Sequence, residues 1–364
     1  MSVTTAGAAA ADEGEPTGAV GEMLEPGAVL TPIARHSPGP QANAQNLDRV
    51  DLSAYQPMEH RPARASLAAA SSVVADFQRD LDGVEIPAPR ELARIHQLLD
   101  GRNRGSKAGA SAAAGPQGSA RLLRNARSEL ERRVGKIYFT NTEGNRRYCS
   151  AATIGRHLVL TAAHCLYNNA AKDGPDGWST NVFYAPGPDP QRSKRYPMGS
   201  AHISNWYVSS PNWRASTAHD IAVLVVRDAG RENGSLGWRW STTPRSVAPA
   251  HAFGYPGHHR DHSRPFHGHM PSGYTTHQVY NSVLKTTRPT LRSKFGPGGV
   301  QSGLSGGPYI INLFGNNGST TDDLNRKARV TGVYKGASYA YQYASPLTRE
   351  FAVLRNHALD HVNR

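Results

Sequence analysis

Cysteine is nearly absent from this chain of 364 residues: there are two, Cys149 and Cys165. Both fall in one short segment and so allow a single disulfide, a bond that persists mainly outside the cytosol. No apolar run approaches the roughly 18 residues of a membrane span, which argues for a soluble protein. The first 30 residues, beginning MSVTTAGAAAADEGE, have no basic start followed by an apolar core. No secretory signal is therefore legible, and this conflicts with the compartment that a disulfide suggests. Acidic residues are few as well. Residues 1 to 60 hold eight of the 28 acids against only Arg35 and Arg49, so the basic excess behind the net charge of +13 lies beyond them. A basic body suits nucleic acid, an anionic surface or an acidic substrate. No RNA-binding aromatic motif or recognition-helix pattern accompanies it, so nucleic acid is not an expected partner.

What the chain does have is turns. Its 36 glycines and 25 prolines punctuate short β-branched and aromatic runs, a texture of all-β architecture rather than a helical one. Hydrophobic residues at 38% are enough for a real core. Residues 1 to about 65, rich in Ala, Gly, Pro and acids, read as disordered or loosely packed. Two helical patterns follow: Val74, Phe77 and Leu81 share a face in 67–82, and Leu92, Ile95 and Leu99 do so in 90–100. GRNRGSKAGASAAAGPQGSA, 101–120, reads as a flexible linker, and an arginine-rich stretch runs from Arg121 to Arg133.

From Val134 the runs become strand-like: VGKIYF, AATIG, HLVLTAA, NVFYA and DIAVLVV, then, after a Ser/Pro-rich break near 241–249, HAFGYPG, HQVYNSVL, PYIINLF, RVTGVY and AYQYA. Two groups of strands imply two small barrels or sheets. LTREFAVLRNHALDH, with Phe351, Leu354 and Leu359 at near-helical spacing, predicts a terminal helix.

Three short motifs carry chemistry. "TAAHC" puts His164 at a strand end beside Cys165, which could bridge back to Cys149 sixteen residues upstream. "AHDIAVLVV" puts Asp220 at the mouth of an apolar strand, and "GLSGGP" sets Ser305 among glycines. Serine becomes nucleophilic when an imidazole accepts its proton, and a buried carboxylate orients that ring. Small residues around the serine let the amides of Gly303 and Ser305 converge on an oxyanion, worth about 2.7 to 4 kcal/mol per donor. Each motif also has a plainer reading. Gly, Ser and Pro make ordinary turns, an acid before a strand caps a turn, and a histidine near cysteine can be core filler or a metal ligand. Two cysteines and one histidine give only three ligands, and adjacent His164 and Cys165 suit a zinc cage poorly.

The ordered set TAAHC, HDIAVL and GLSGGP resembles the chymotrypsin-like serine peptidases over roughly residues 130 to 360. The order His, Asp, Ser separates it from subtilisin and α/β-hydrolase arrangements. VGKIYF before Cys149 and GYPG at 254–257 are more similar to bacterial and fungal members, including the glutamyl endopeptidase branch. The resemblance implies two packed six-stranded antiparallel barrels, over 129–240 and 241–346, with a terminal helix over 347–364. It makes His164 the general base, Asp220 its orienter and Ser305 the nucleophile of an endopeptidase. Protein or peptide substrates, no cofactor and no metal, and a monomeric enzyme are the expectation, and the disulfide chemistry adds a secreted or extracytoplasmic location. An esterase using the same acyl chemistry and a non-catalytic binder of the same fold are the rivals.

Departures from the family bear on maturation and specificity. Leu304 replaces the acid that in many relatives pairs with a freshly cut amino terminus, so maturation here is expected to be the removal of a mask. Residues 1–128, with two amphipathic helices and an arginine-rich connector, read as such a propeptide; an appended tail without inhibitory role is the bland alternative. Gly299 stands where trypsin-like relatives carry the pocket acid, and Tyr334 where glutamyl endopeptidases carry a histidine. Gly299, Tyr334, Lys335 and Gly336 are thus the substrate-contact candidates, and no residue preference follows from them. Lys335 could attract an acidic side chain, although a solvated rim lysine is the plainer expectation. His258, His259, His262, His267 and His269 crowd one stretch, expected to be a solvated loop rather than a metal or pH-sensing site.

Overall fold

The computed structural model describes residues 30–36, 47, 50–58, 129–168, 177–187, 193–209, 217–241, 250–255, 257, 266–270, 275–281, 286–294, 303–311, 328–337 and 341–362. The helices expected over 67–82 and 90–100, the linker over 101–120 and the arginine-rich stretch up to residue 128 lie outside them, as do Gly299, His258, His259 and His262.

Runs such as LVLT and AVLV are apolar at consecutive positions because they are buried on both faces. The first sheet contains β1 (Pro32–His36), β2 (Gln56–Pro57), β3 (Val134–Thr140), β4 (Arg146–Gly155), β5 (Leu158–Thr161), β6 (Thr180–Pro186), β7 (Tyr196–Pro197), β8 (Ser200–Ser204) and β9 (Ala222–Val225). Their order is β1-β8-β9-β5-β4-β3-β6-β7, with β2 lying parallel on β4 and every other pair antiparallel. Two short helices, α1 (Asn205–Val208) and α2 (Ala229–Asn233), connect and follow the last strands.

The second sheet has seven antiparallel strands: β10 (Ala250–Gly254), β11 (Phe266–Met270), β12 (Thr275–Asn281), β13 (Thr286–Lys294), β14 (Pro308–Ile311), β15 (Arg329–Ala337) and β16 (Tyr341–Pro346), in the order β11-β10-β14-β15-β16-β13-β12. The two-group division read from the sequence is therefore present as two sheets. The first is widened beyond six strands by the short β7 and by β1 and β2.

Strands of the second sheet serve two cores through the pleat. Tyr309 and Ile311 join a small apolar cluster with Ala252, Leu291, Leu304, Tyr334 and Ala344. Ile310, between them, joins the larger cluster of the first sheet, as do Phe253 and Val333. Successive side chains of a strand point to opposite faces, so β10, β14 and β15 form the seam between the two cores.

The terminal helix α3 (Arg349–Val362) buries Glu350, Phe351, Leu354 and Ala358, and packs on β8 and β9. The stripe 351, 354, 358 is one helical face; Leu359, which the spacing placed on it, is only partly buried.

Sequence reading left residues 1 to about 65 without packed structure, yet two parts of that stretch dock on the first sheet. β1 extends the sheet beyond β8. Leu52 and Tyr55 are buried in the main core, and the Arg195 guanidinium donates to the carbonyls of Leu47 and Val50. The apolar residues of this stretch, Leu47, Val50, Leu52, Tyr55 and Met58, alternate with charged and polar ones in neither a strand nor a helix period, so no pattern marked them.

Candidate active site

His164 sits in a single 3-10 turn, Ala163–Cys165, immediately after β5 ends. Cys165 is disulfide-bonded to Cys149 of β4, so the turn is covalently tied to the neighbouring strand. Both sulfurs are consumed by that bond. The grouping of Cys149, His164 and Cys165 therefore offers no thiolate to a metal.

Asp220 follows the 3-10 turn Thr217–His219 and precedes β9. It is 2% exposed, and both carboxylate oxygens meet the histidine: Oδ1 accepts the His164 backbone N–H at 2.9 Å, and Oδ2 lies 2.7 Å from Nδ1. An ionised carboxylate only accepts, so Nδ1 carries the proton and Nε2 presents a lone pair. The ring is thus fixed in one tautomer by its own backbone and its own partner together.

Ser305 lies in the turn that leads into β14. Gly303 has φ +86° and Gly306 φ +84°, a region that only glycine enters without strain. At Gly306 an added Cβ would stand 2.1 Å from the Ser150 carbonyl oxygen and 2.2 Å from Thr161 Oγ1. This is the reason for glycine on both sides of Leu304 and Ser305: the turn is pressed against β4 and the end of β5, two residues before the His164 turn begins. Leu304 anchors it from the other side, in the second apolar cluster.

Ser150, next to Cys149 on β4, ties the turn down. Its N–H donates to the Ser305 carbonyl at 2.7 Å, its Oγ donates to the Gly303 carbonyl at 2.8 Å, and the same Oγ accepts the Tyr255 N–H at 2.8 Å. Gly306 N–H donates to the Tyr334 carbonyl and Tyr334 N–H to the Gly307 carbonyl, each at 2.7 Å. Consecutive residues of one strand, Cys149 and Ser150, therefore hold the histidine turn and the serine turn beside each other. The structure thus places an imidazole held by a buried carboxylate in the turn beside the buried serine turn.

Among the substrate-contact candidates, Tyr334 packs its ring on Tyr309 with centroids 6.4 Å apart, inside the second cluster. Lys335 is not on a solvated rim. It is 3% exposed, its Nζ donates to Thr290 Oγ1 at 2.5 Å, and Thr290 Oγ1 donates in turn to the Ala344 carbonyl at 3.1 Å. Both faces of this seam strand are buried, and residues 331–336 are all buried. The β15 to β16 register shifts between Tyr334 and Gly336, a bulge that turns Lys335 inward. Burial pushes the Lys335 ammonium down to about 7, and the charge of Asp220 pulls it partly back up. Gly336 is buried beside it. His267 and His269 occupy alternate positions of β11, paired with Phe253 and His251.

Two supporting residues escaped sequence reading. His219, adjacent to Asp220, has its Nδ1 2.7 Å from Oε2 of Glu350 on α3, with side chains 1% and 3% exposed. The terminal helix is thereby pinned to the turn that presents Asp220. Glu350 occupies a position where a surface acid was the natural expectation, and only its place one residue before the apolar stripe hinted otherwise.

Residues 56–58 lie across the same region. Met58 N–H donates to the Tyr148 carbonyl at 2.9 Å, and the Met58 carbonyl accepts the Gly303 N–H at 3.2 Å. Pro57 is packed so closely that a Cβ on Gly257 would meet its Cγ at 2.3 Å.

Comparison with known proteins gives the following. The family described as Trypsin matches residues 125–340. No curated protein sequence is significantly similar to the chain. Among solved structures, protease Anisep from Arthrobacter nicotinovorans is 20% identical with a TM-score of 0.45, covering 62% of this chain and 95% of that one. A Glu endopeptidase is 17% identical with a TM-score of 0.43, covering 65% and 93%. An inactivated protease paralogue of the scabies mite is 13% identical with a TM-score of 0.42, covering 64% and 96%. With the family match spanning more than half of its length, and the two-sheet, disulfide-tied architecture described above, the chain belongs to the trypsin family of serine proteases.

Proposed function

We propose that the protein is a serine endopeptidase in which Ser305 is the nucleophile, His164 the general base and Asp220 the group that orients it. The observation that carries this reading is the two-point grip of Asp220 on His164, through Oδ1 to the backbone and Oδ2 to Nδ1. In this reading Nε2 takes the Ser305 proton as Oγ attacks the peptide carbonyl, and the resulting imidazolium is stabilised by Asp220. The same proton then goes to the leaving amine, and water repeats the cycle on the acyl-enzyme. Gly303 and Ser305 N–H groups receive the oxyanion. Lys335 acts behind Asp220, as a buried group whose charge favours the carboxylate, rather than as a receptor for an acidic substrate side chain. The disulfide supports an oxidising, extracytoplasmic location.

The same reading makes the stretch before residue 129 a masking pro-segment. Its support is the Met58 carbonyl on the Gly303 N–H: that donor cannot serve an oxyanion while the segment is docked. Activation is then release of the segment after a cut in the connector between Arg121 and Arg133. Because Leu52 and Tyr55 are part of the core, a cut alone leaves the segment bound, and activity should rise as the cut protein is diluted.

The test is digestion of an unfolded protein substrate by the cut wild type and the cut Ser305→Ala variant, read by mass spectrometry of the peptides, alongside hydrolysis of a simple ester. Peptide products that depend on Ser305 are the expected result. Ester turnover without peptide products would favour an esterase, and no turnover of either would favour a binding protein.

A further inference from the structure

We propose that His202, His357 and His361 form a binding site for a divalent transition-metal ion of the zinc class, which fastens the terminal helix to the first sheet. His202 is on β8 and fully buried; His357 and His361 are one turn apart on α3 and partly buried. Spacing of four residues puts the two helix histidines on one face. All three meet: ring centroids are 5.0 Å apart for His202 and His357, 4.9 Å for His202 and His361 and 4.8 Å for His357 and His361. One ligating nitrogen from each falls within 4.8 Å of the others.

Three imidazoles crowded at a helix-to-sheet contact are not ordinary packing. His202 Nδ1 stands 2.9 Å from His357 Nδ1, so two ring nitrogens face each other, and either one proton or one cation must lie between their lone pairs. Ser200, two residues before His202 on the same strand, places its Oγ 2.8 Å from His202 Nε2. With Nε2–H donating there, Nδ1 is the lone-pair nitrogen turned to the helix. A partner on the far nitrogen is the usual means by which a protein fixes a metal-binding imidazole. Zinc takes nitrogen at about 2.0 to 2.1 Å in tetrahedral sites, which sets ligand nitrogens roughly 3.4 Å apart. The cluster straddles that spacing, and small rotations of the two helix rings close it. An all-imidazole set selects zinc, cobalt, nickel or copper over calcium or magnesium. Three protein ligands leave a fourth position for water.

The site has a mechanical logic. Glu350 ties the first turn of α3 to His219, and the three histidines tie its last turns to β8, whose other edge carries β1 through the pairing of Ala34 with His202. A metal here fixes both ends of the helix that supports the Asp220 turn. The inference is independent of the peptidase reading.

Full-length Ser305→Ala protein, stripped with chelator and then freed of it, is titrated with zinc by calorimetry and with cobalt by visible absorption. The expected result is one equivalent bound through the three histidines, with d–d bands of a nitrogen-ligated cobalt and a raised Tm. His361→Gln and His357→Gln, both at partly exposed helix positions and checked for wild-type circular dichroism, should each weaken that event by about 100-fold or more. Zinc binding that is unaltered in both variants would place the metal elsewhere, the 258–269 histidines being the obvious source, and would overturn the proposal. So would the lack of any saturable binding to the unaltered chain.

Discussion

Replacing Tyr55 with alanine is the sharpest perturbation of the masking proposed for the stretch before residue 129. The Tyr55 ring is 8% exposed and meets two aromatic rings edge-on, Tyr138 at 5.1 Å and 84° and Phe183 at 6.0 Å and 86°. Truncating a buried aromatic costs about 3 to 5 kcal/mol, and edge-on aromatic pairs account for about 0.5 to 1.5 kcal/mol of that each. Tyr55 lies three residues before Met58, on a segment that Leu52, the Arg195 bonds to Leu47 and Val50 and the β2–β4 pairing also hold, so its loss weakens docking without removing those contacts. Taking about 3 kcal/mol, the ratio of undocked to docked segment rises by roughly 100-fold. Under the proposed masking, the Gly303 N–H that bonds to the Met58 carbonyl is released only on undocking. The assay is the rate at which a fluorophosphonate labels the uncut protein, with thermal unfolding followed in parallel. While the docked form dominates, the rate tracks the undocked fraction, so an increase of up to about 100-fold is expected. A rate within twofold of wild type in a variant whose Tm has clearly fallen would mean that the ring supports the barrel and that the segment does not cover the oxyanion donors.

Other expectations follow from the same geometry. Asp220→Asn removes the acceptor that fixes the His164 tautomer, and kcat should fall by about 10⁴ with KM little changed, measured on a peptide ester after release of the segment. Lys335 titrates near 10.5 when unfolded and near 7 when folded. Between those values the unfolded chain holds the extra proton, so wild-type stability relative to Lys335→Met should rise as pH goes from 7 to 10 and stay level below 7; urea unfolding at several pH values checks it. The Cys149–Cys165 bond closes a loop with a sequence separation of 16, and its removal by double replacement with alanine should cost about 3 kcal/mol in urea. Labelling of Ser305 should slow in that variant as well, because Cys165 directly follows His164.

The parts of this structure visible in the sequence are those whose cause is local. The strands around 134 to 225 announce themselves because both faces are buried, and the turn GLSGGP because positive φ at 303 and 306 demands glycine. His164, Asp220 and Ser305 stand out in the sequence as an ordered set of residue types. What was not legible depends on partners remote in sequence. Glu350 reads as a surface acid until His219 is placed against it. Lys335 reads as a solvated rim residue until the bulge in β15 turns it inward. Leu52 and Tyr55 belong to an irregularly spaced apolar set, Leu47 to Met58, whose receiving sheet lies about 75 residues or more further along the chain. The histidines at 202, 357 and 361 are separated by 155 residues or more across the strand and the helix, and each alone is unremarkable. The histidines that crowd the sequence at 258 to 269 drew notice for the opposite reason, proximity along the chain.

The proposed peptidase stands or falls with Ser305 as an activated nucleophile. Its most direct test is intact-mass and peptide mapping of protein treated with a fluorophosphonate after cutting the connector and diluting away the segment. One adduct per chain is expected, on Ser305, absent in His164→Ala and in Ser305→Ala. An unlabelled Ser305 in protein that is folded, disulfide-bonded and free of residues 1 to 128 would contradict it, and the GLSGGP turn would then be only a turn.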